Sequence, residues 1–275
     1  MVKLSIITVN YNNVHGLERT IKSVMTQQAK DIEFIVIDGK STDDSVALLE
    51  GHDEHISYWS SEPDNGVYDA MNKGIATATG TYVLFLNSGD HFHNDTSAAT
   101  MLPHLDGHDL IAFDIQVKGD GTDYVKAHPD VLQFSYLYHK TLAHQSVCIK
   151  RTLFDTSGGY DTSLRITADW KFFLDALVRK QCSYKAVHTV VSVYYLDGMS
   201  ATAQGTNIRK QERKKVLAEE YGFFLKDYRK LEQFQLHRFK MLAALEASGP
   251  GRKVVSAVLR VLLFLFTGKK LRDLK

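Results

Sequence analysis

The chain has 275 residues, 44% hydrophobic and 24% charged, a length that holds one large α/β domain with an appendage or two small domains. Four prolines and 18 glycines exclude a fibrous or low-complexity chain, and two cysteines, Cys148 and Cys182, are too few for a disulfide scaffold. The formal net charge of +1 conceals a split: residues 1–200 carry 16 Lys and Arg against 25 Asp and Glu (net −9), and residues 201–275 carry 17 against 7 (net +10). A basic tail of this kind predicts an anionic partner, a membrane surface or nucleic acid.

The apolar start Leu4-Ser5-Ile6-Ile7 turns polar by Asn10, too soon for the apolar region of a secretory signal, and predicts a strand over 3–9. Helix and strand then alternate: a helix over about 14–28, a strand over 32–38, a helix over about 42–50, a strand near 56–60, a helix over about 67–78 and a strand over 81–87. Such βα units predict a parallel sheet covered on both faces. Ser41-Thr42-Asp43-Asp44 is the start signal of the second helix, because a side-chain oxygen there can accept from the orphan amides of the first turn. Ala70, Met71, Gly74, Ile75 and Ala78 recur at helical spacing as a packing face with small residues for close approach.

Beyond residue 90 the signals are mixed: strands near 109–118, 144–149 and 184–195, and an amphipathic helix from Ala168 to about Lys180 carrying Trp170, Phe173, Leu174, Leu177 and Val178. This half reads as α+β. Both cysteines fall in apolar runs read as core strands, which suits a reducing, cytoplasmic setting. Past Gly205 the chain is helical and basic, with a break at Ser248-Gly249-Pro250-Gly251.

Three strands end in polar, turn-forming clusters: Thr8-Val9-Asn10-Tyr11-Asn12, Asp38-Gly39-Lys40-Ser41-Thr42-Asp43 and Asn87-Ser88-Gly89-Asp90. An open α/β sheet binds ligands beyond the carboxyl ends of its strands, so this rim of carboxylates and amides points to an enzyme for a phosphorylated, hydroxyl-rich substrate. Asp38 either caps the next helix or, if Ser41 or Thr42 does the capping, is free to face the crevice. In Glu62-Pro63-Asp64-Asn65-Gly66-Val67-Tyr68-Asp69-Ala70-Met71-Asn72-Lys73-Gly74 a turn leads into a helix on which Asp69, Asn72 and Lys73 are neighbours and can present one polar edge to a nucleotide. Asn87-Ser88-Gly89-Asp90 is also a plain turn sequence, and Asp169 is either an N-terminal carboxylate stabilised by the helix dipole or a reacting group.

In wording and order these motifs resemble the family 2 glycosyltransferases of the GT-A fold over about the first two hundred residues. Among them the chain looks like the subgroup that builds bacterial surface polysaccharides such as capsule, O-antigen and colanic acid. The resemblance implies an α/β, Rossmann-like nucleotide-diphospho-sugar transferase fold over residues 1–205, divided near residue 90 into donor and acceptor halves; it does not extend to the helical basic extension over 206–275, which is read from the residues themselves. It implies inverting hexosyl or N-acetylhexosaminyl transfer from a UDP-sugar to a saccharide acceptor, lipid-linked, in surface polysaccharide synthesis. Thr8, Asn10, Tyr11 and Asp38 then hold the uridine, with the Asp38 carboxylate accepting from the base and the Tyr11 ring stacking. Asp69, Asn72 and Lys73 line the donor site, where Met71 replaces the commoner Arg.

Asn87-Ser88-Gly89-Asp90 occupies the place of the family's acidic metal motif, with Asn87 and Gly89 where acids are usual. Metal ligation by manganese or magnesium therefore carries over to Asp90 alone, with ribose or sugar contacts at Asn87 and Ser88; a bridging cation neutralises the departing diphosphate. Asp169 falls at the place of the general base, and one base opposite a metal-held diphosphate predicts inversion. His144, Gln145 and Trp170 contact the acceptor or diphosphate, and Asp197-Gly198-Met199-Ser200 resembles a loop that closes over bound donor.

In the tail, Val254 to Phe266 is a run of thirteen residues with Arg260 inside, short of the roughly 20 that a spanning helix needs. Flanked by Arg252, Lys253, Lys269, Lys270 and Arg272, it reads as a helix lying in an anionic cytoplasmic leaflet, or as a core helix docked on the catalytic domain. The former makes the protein cytoplasmic and peripheral at the inner membrane face. Three rivals stand beside this reading. A nucleotidyltransferase for sugar phosphates wants a Gly-rich basic loop after the first strand, which Asn10-Tyr11-Asn12-Asn13 is not. A nucleic-acid-binding protein is disfavoured because the tail's cations alternate with aliphatics, so no nucleic acid is expected. A non-catalytic sugar-nucleotide-binding module is the third.

Overall fold

The computed structural model describes residues 2–119, 121–196, 198, 202–233 and 237–270. Its first half runs β1 (Leu4–Asn10), α1 (Val14–Met25), β2 (Ile32–Asp38), α2 (Ser45–Glu50), β3 (Tyr58–Ser61), α3 (Val67–Thr77) and β4 (Tyr82–Phe85). There follow β5 (His91–Phe92), α4 (Ser97–Met101), β6 (Leu110–Gly119), β7 (Thr122–Lys126), α5 (Phe134–His139), β8 (Val147–Lys150), α6 (Thr152–Ser157), α7 (Ala168–Val178) and β9 (Tyr184–Tyr195). The remainder is helical: α8 (Ala203–Glu220), α9 (Gly222–Gln233), α10 (His237–Ala247) and α11 (Gly249–Thr267).

The strands form one sheet in the order β3-β2-β1-β4-β8-β6-β9-β5, with β7 paired to β6. The first four are parallel, as the βα alternation predicts. Every residue of β1 is buried because its two faces are both covered. Leu17, Ile21 and Val24 of α1 share a core cluster with Leu4 and Ile6. α3 covers the opposite face, where a Cβ on Gly74 would come within 2.5 Å of Ile7 Cγ2, so only glycine permits the approach. Ala70, Met71 and Ala78 of the expected packing stripe are buried beside it.

Past β4 the sheet changes character. β8 is antiparallel to both β4 and β6, while β9 is parallel to β6. β6 pairs β8 through Leu110, Ile111 and Ala112 and pairs β7 through Ile115 to Gly119, so two strands share one of its edges. Its register with β9 slips between Phe113 and Ile115, a bulge that bends the strand and re-aims the hairpin beyond it. The sequence reading missed β7.

Two further expectations are corrected. α2 begins at Ser45, directly after the 41–44 signal, and its first amide is accepted by Asp43 Oδ1 at 3.1 Å, so the signal marks the helix but neither Ser41 nor Thr42 caps it. Cys148 is buried on β8, but Cys182 is half-buried in the connection before β9, not on a core strand.

The chain divides into two compact units, Met1–Arg213 and Lys214–Lys275, with the boundary inside α8. In the second unit the break at 248–251 is a helix start: the Ser248 side chain accepts from Gly251 N and Pro250 sits in the first turn of α11. No residue of α11 is buried, and Val254, Val258, Leu262 and Phe266 are exposed. Among the described residues no helix is long and apolar enough to cross a membrane.

Candidate active site

Beyond the end of β4 lies a cavity of about 710 Å³. Asn87, Ser88, Gly89 and Asp90 line it, as do His144, Gln145, Asp169 and Trp170. Asp169 sits in the first turn of α7, yet it is turned to partners outside the helix. Its Oδ1 lies 3.0 Å from the Tyr68 hydroxyl and its Oδ2 lies 3.2 Å from His144 Nδ1. Tyr68 shares its proton with Ile166 O at 2.7 Å. Burial opposes ionisation of Asp169, but the hydrogen bond and charge of His144, the Trp170 amide and the Tyr68 hydroxyl together hold its carboxyl below the usual range.

On the far side of the imidazole, His144 Nε2 is 3.4 Å from Asn87 Nδ2. The imidazole therefore bridges Asn87 and Asp169, with the roles of its two nitrogens set by its tautomer. A polar chain thus runs from the β4 turn through His144 to Asp169 and Tyr68.

The turn at 87–90 is braced from α1. Ser88 Oγ donates to Asn13 O at 3.2 Å, Asn13 Nδ2 donates to Ser88 O at 3.2 Å, and the Thr20 hydroxyl lies 2.7 Å from Asp90 O. Gly89 has φ +107°, a left-handed conformation that strains any side chain, which explains why the acid expected there is absent. Among the described residues no cluster of three or more His, Cys, Asp or Glu is placed to hold a metal ion.

The residues expected around the uridine are less open than the sequence suggests. Thr8 is fully buried and its hydroxyl donates to Leu86 O at 2.6 Å, so it ties β1 to the end of β4. Asp38 is fully buried, not free to face a crevice: it accepts from Ser41 N at 2.9 Å, Ser41 Oγ at 2.5 Å, Ser61 Oγ at 2.6 Å and Asn10 Nδ2 at 2.8 Å. Parallel pairing brings the ends of β1, β2 and β3 side by side, and the buried carboxylate collects the donors that converge there. Asn10 is buried with it, whereas Tyr11 is 67% exposed.

On α3 the polar edge splits. Asn72 binds the Tyr160 backbone through both amide atoms, at 2.9 and 2.8 Å, and so anchors the connection before α7. Lys73 donates to Pro63 O at 2.8 Å and lies 3.6 Å from Asp69, which accepts from Asn65 N at 3.0 Å, so this pair holds the turn that precedes its own helix. Thr8, Asn10, Tyr11, Asp38, Asp69, Asn72 and Lys73 all lie off the cavity lining. Trp170 is 2% exposed and donates to Leu137 O at 2.7 Å, which makes it part of the cavity floor, less a free contact surface than expected. Of the 197–200 loop, only Gly198 lies among the described residues.

Sequence reasoning missed four cations on the lining: Lys126, Arg165, Arg209 and Arg213. Burial pushes the Lys126 ammonium down to about 8, against the attraction of Asp169. Burial and the charge of Arg209 lower Arg213 to about 10; its guanidinium sits 4.5 Å from the Trp170 ring and donates to Leu137 O at 2.6 Å. The one signal for Lys126 was Gly119-Asp120-Gly121, a hairpin turn before a short alternating run.

The mixed sheet, with its polar rim beyond the strand ends, has the GT-A fold of the solved structures it resembles. Residues 5–164 match the family described as Glycosyl transferase family 2, and the chain belongs to that family. An uncharacterized glycosyltransferase of Mycobacterium tuberculosis is 40% identical over 181 residues, 63% of this chain and 68% of the relative. A PGL/p-HBAD biosynthesis glycosyltransferase of Mycobacterium bovis is 29% identical over 196 residues, 69% of this chain and 75% of the relative. Among solved structures, S. aureus TarS 1-349 in complex with UDP-GlcNAc superposes with a TM-score of 0.63 at 16% identity, covering 79% of this chain and 67% of TarS 1-349. The mannosyltransferase PcManGT from Pyrobaculum calidifontis, in complex with GDP-Man and Mn2+, gives 0.57 at 16% identity over 97% of this chain and 81% of its own. The protein is a glycosyltransferase and not a nucleotidyltransferase.

Proposed function

We propose that this glycosyltransferase moves a sugar from a UDP-sugar to a saccharide acceptor with inversion, with Asp169 as general base. The observation that carries the reading is the Asp169 carboxylate held ionised between His144 and Tyr68 on the lining it shares with the 87–90 turn. The acceptor oxygen bonds to the anomeric carbon as the bond from that carbon to the donor phosphate breaks, its electron pair leaving with the diphosphate. The hydroxyl proton passes to Asp169. A single base that faces the leaving group across the sugar favours inversion.

Tyr11 supplies an exposed ring for uracil, with Asn10 and Asp38 as the rigid floor behind it and Asp69 and Lys73 at the rim. Asn87, Ser88, His144 and Gln145 meet the sugar and phosphates from the cavity wall. The neighbours hold UDP-GlcNAc in TarS and GDP-Man in PcManGT, which supports a nucleotide-sugar donor, and the choice of UDP rests on the sequence resemblance.

A divalent cation, manganese or magnesium, fits the 87–90 turn. Asn87 Oδ1 is buried without a hydrogen-bond partner and is a hard oxygen donor, as is the Asp90 carboxylate. These two would hold the ion together with the donor phosphates, and the ion would supply neutralisation of the leaving charge. The Mn2+ in the PcManGT complex is in keeping with this.

The lipid-linked acceptor and the place in surface polysaccharide synthesis rest on the sequence resemblance. Attachment to the inner face of an anionic membrane is supported by the exposed apolar side chains of α11 among Arg252, Lys253, Arg260, Lys269 and Lys270. Removing residues 252–275 should release the protein from anionic vesicles at low salt; unchanged co-sedimentation would refute the attachment.

The decisive test of the reaction is Asp169→Asn, which keeps the shape and cannot take the proton. Transfer should fall about 10²- to 10⁴-fold while UDP-sugar still binds. Transfer at the wild-type rate would reduce Asp169 to a structural carboxylate.

A further inference from the structure

The base and the metal turn leave the cavity's cations without a task. All four come from residues 126–213, and the donor half lines the cavity with Val67, Tyr68, Met71 and the 87–90 turn, none of them cationic. Lys126 donates to Thr141 O at 3.0 Å and Arg213 to three carbonyls of the 137–140 segment, contacts that fix the side chains without cancelling their charge. Arg165 and Arg209 are exposed. Among the described residues the Arg209 guanidinium has one hydrogen bond, to the Thr206 hydroxyl at 3.4 Å, and the Arg165 guanidinium has none.

The nearest candidate counter-charge is already engaged. The Glu212 carboxylate accepts from the amides of Arg165, Ile166 and Thr167 at 2.7, 3.2 and 3.1 Å, and from the Thr167 hydroxyl at 2.9 Å. It fixes the backbone that presents Arg165 and leaves both guanidinium groups pointing their donors at no carboxylate. Among the described residues, four cations against Asp90 and Asp169 on one partly enclosed lining create a field that attracts an anion.

We propose that this wall binds an oxyanion carried by the acceptor, a phosphate or a carboxylate on the sugar that is glycosylated or on its neighbour, with Arg165 and Arg209 making the contacts. The proposal rests on the glycosyltransferase reading above and adds the chemical class of the acceptor. Guanidinium groups suit either anion, because their planar fork matches two oxygens at once. Lys126 and Arg213, fixed behind them, add charge to the wall. The donor diphosphate is the competing ligand, and placement separates the two: the donor's phosphates belong with the 87–90 turn, whereas the cations are confined to the acceptor half.

The test uses the full chain saturated with UDP and manganese, so that the donor's phosphate positions are filled. Glucose, glucose 1-phosphate and glucuronic acid are then titrated by calorimetry against wild type and against R165Q/R209Q, two exposed positions whose change spares the fold. Glucose 1-phosphate, glucuronic acid or both should bind about tenfold or more tighter than glucose to wild type, and the double variant should lose that preference while its UDP affinity is unchanged. A phosphate-only preference assigns the site to acceptor phosphate, and a carboxylate-only preference to an acidic sugar. Equal binding of all three sugars would overturn the proposal, as would a UDP affinity that falls in step in the variant, which would hand the cations to the donor. UDP binding by the wild type is measured first and separately, so failure of the donor reading is distinguishable from failure of this one.

Discussion

The two halves of the catalytic unit use polar residues in opposite ways. In the first half, up to residue 90, polar side chains are consumed by the fold: Thr8 joins two strands, Asp38 gathers the ends of three, and Asn72 anchors a distant connection. In the second half the polar groups of the site face the cavity: Asp169 with its histidine, and four cations without carboxylate partners among the described residues. Parallel βα units explain the first behaviour, because side-by-side strand ends satisfy one another and give a rigid rim. The mixed second half, with its bulged β6 and the β6–β7 hairpin, leaves side chains such as Lys126 on the cavity lining. The lesson is that position at a strand end predicts a site only when the neighbouring ends do not already supply the partners.

Asp38→Ala is the strongest way to break this contrast. It removes the acceptor of the half-buried Ser41 amide, Ser41 hydroxyl and Ser61 hydroxyl, while Asn10 Nδ2 keeps Ser45 Oγ at 3.0 Å; at about 1 kcal/mol for each lost bond the urea midpoint should fall by an amount that corresponds to about 3 kcal/mol. A stability close to wild type, with UDP binding lost, would return Asp38 to the role of a free base-reading carboxylate.

Asp90→Ala sharpens the comparison at the first-half carboxylate on the cavity. UDP should bind wild type about tenfold more tightly with manganese than with a chelator, and the variant should bind equally in both. Equal UDP affinity of the wild type under the two conditions would remove the metal from this site.

Lys126→Met probes the second half with a smaller effect. Burial lowers the folded ammonium to about 8 from an ordinary 10.5, with Asp169 attracting it and Lys140 repelling it. Between those two values the unfolded chain binds more protons than the folded one, so wild-type stability should rise with pH across that window. The variant should lack this rise and be the more stable of the two at neutral pH. A wild-type profile without the rise between about 8 and 10.5 would mean that Lys126 is solvated and adds no buried charge to the wall.

The sequence by itself determined the order and type of nearly every element up to β4, because hydrophobic runs of strand length alternate with helical periods and each is closed by a turn signal. The strand-end turn marked Asn87 and Asp90, and the family resemblance marked His144 and Asp169; all four meet on one cavity. Only the tertiary structure decided which of the marked residues stay open. Whether Asp38 is free depends on Ser41 and Ser61, 3 and 23 residues away, and whether Asn72 is free depends on Tyr160, 88 residues away. The cations were illegible for the same reason. Lys126, Arg165 and Arg209 lie in no shared motif, and a long-range fold must bring a hairpin, a loop and a helix together before their charges add on one wall.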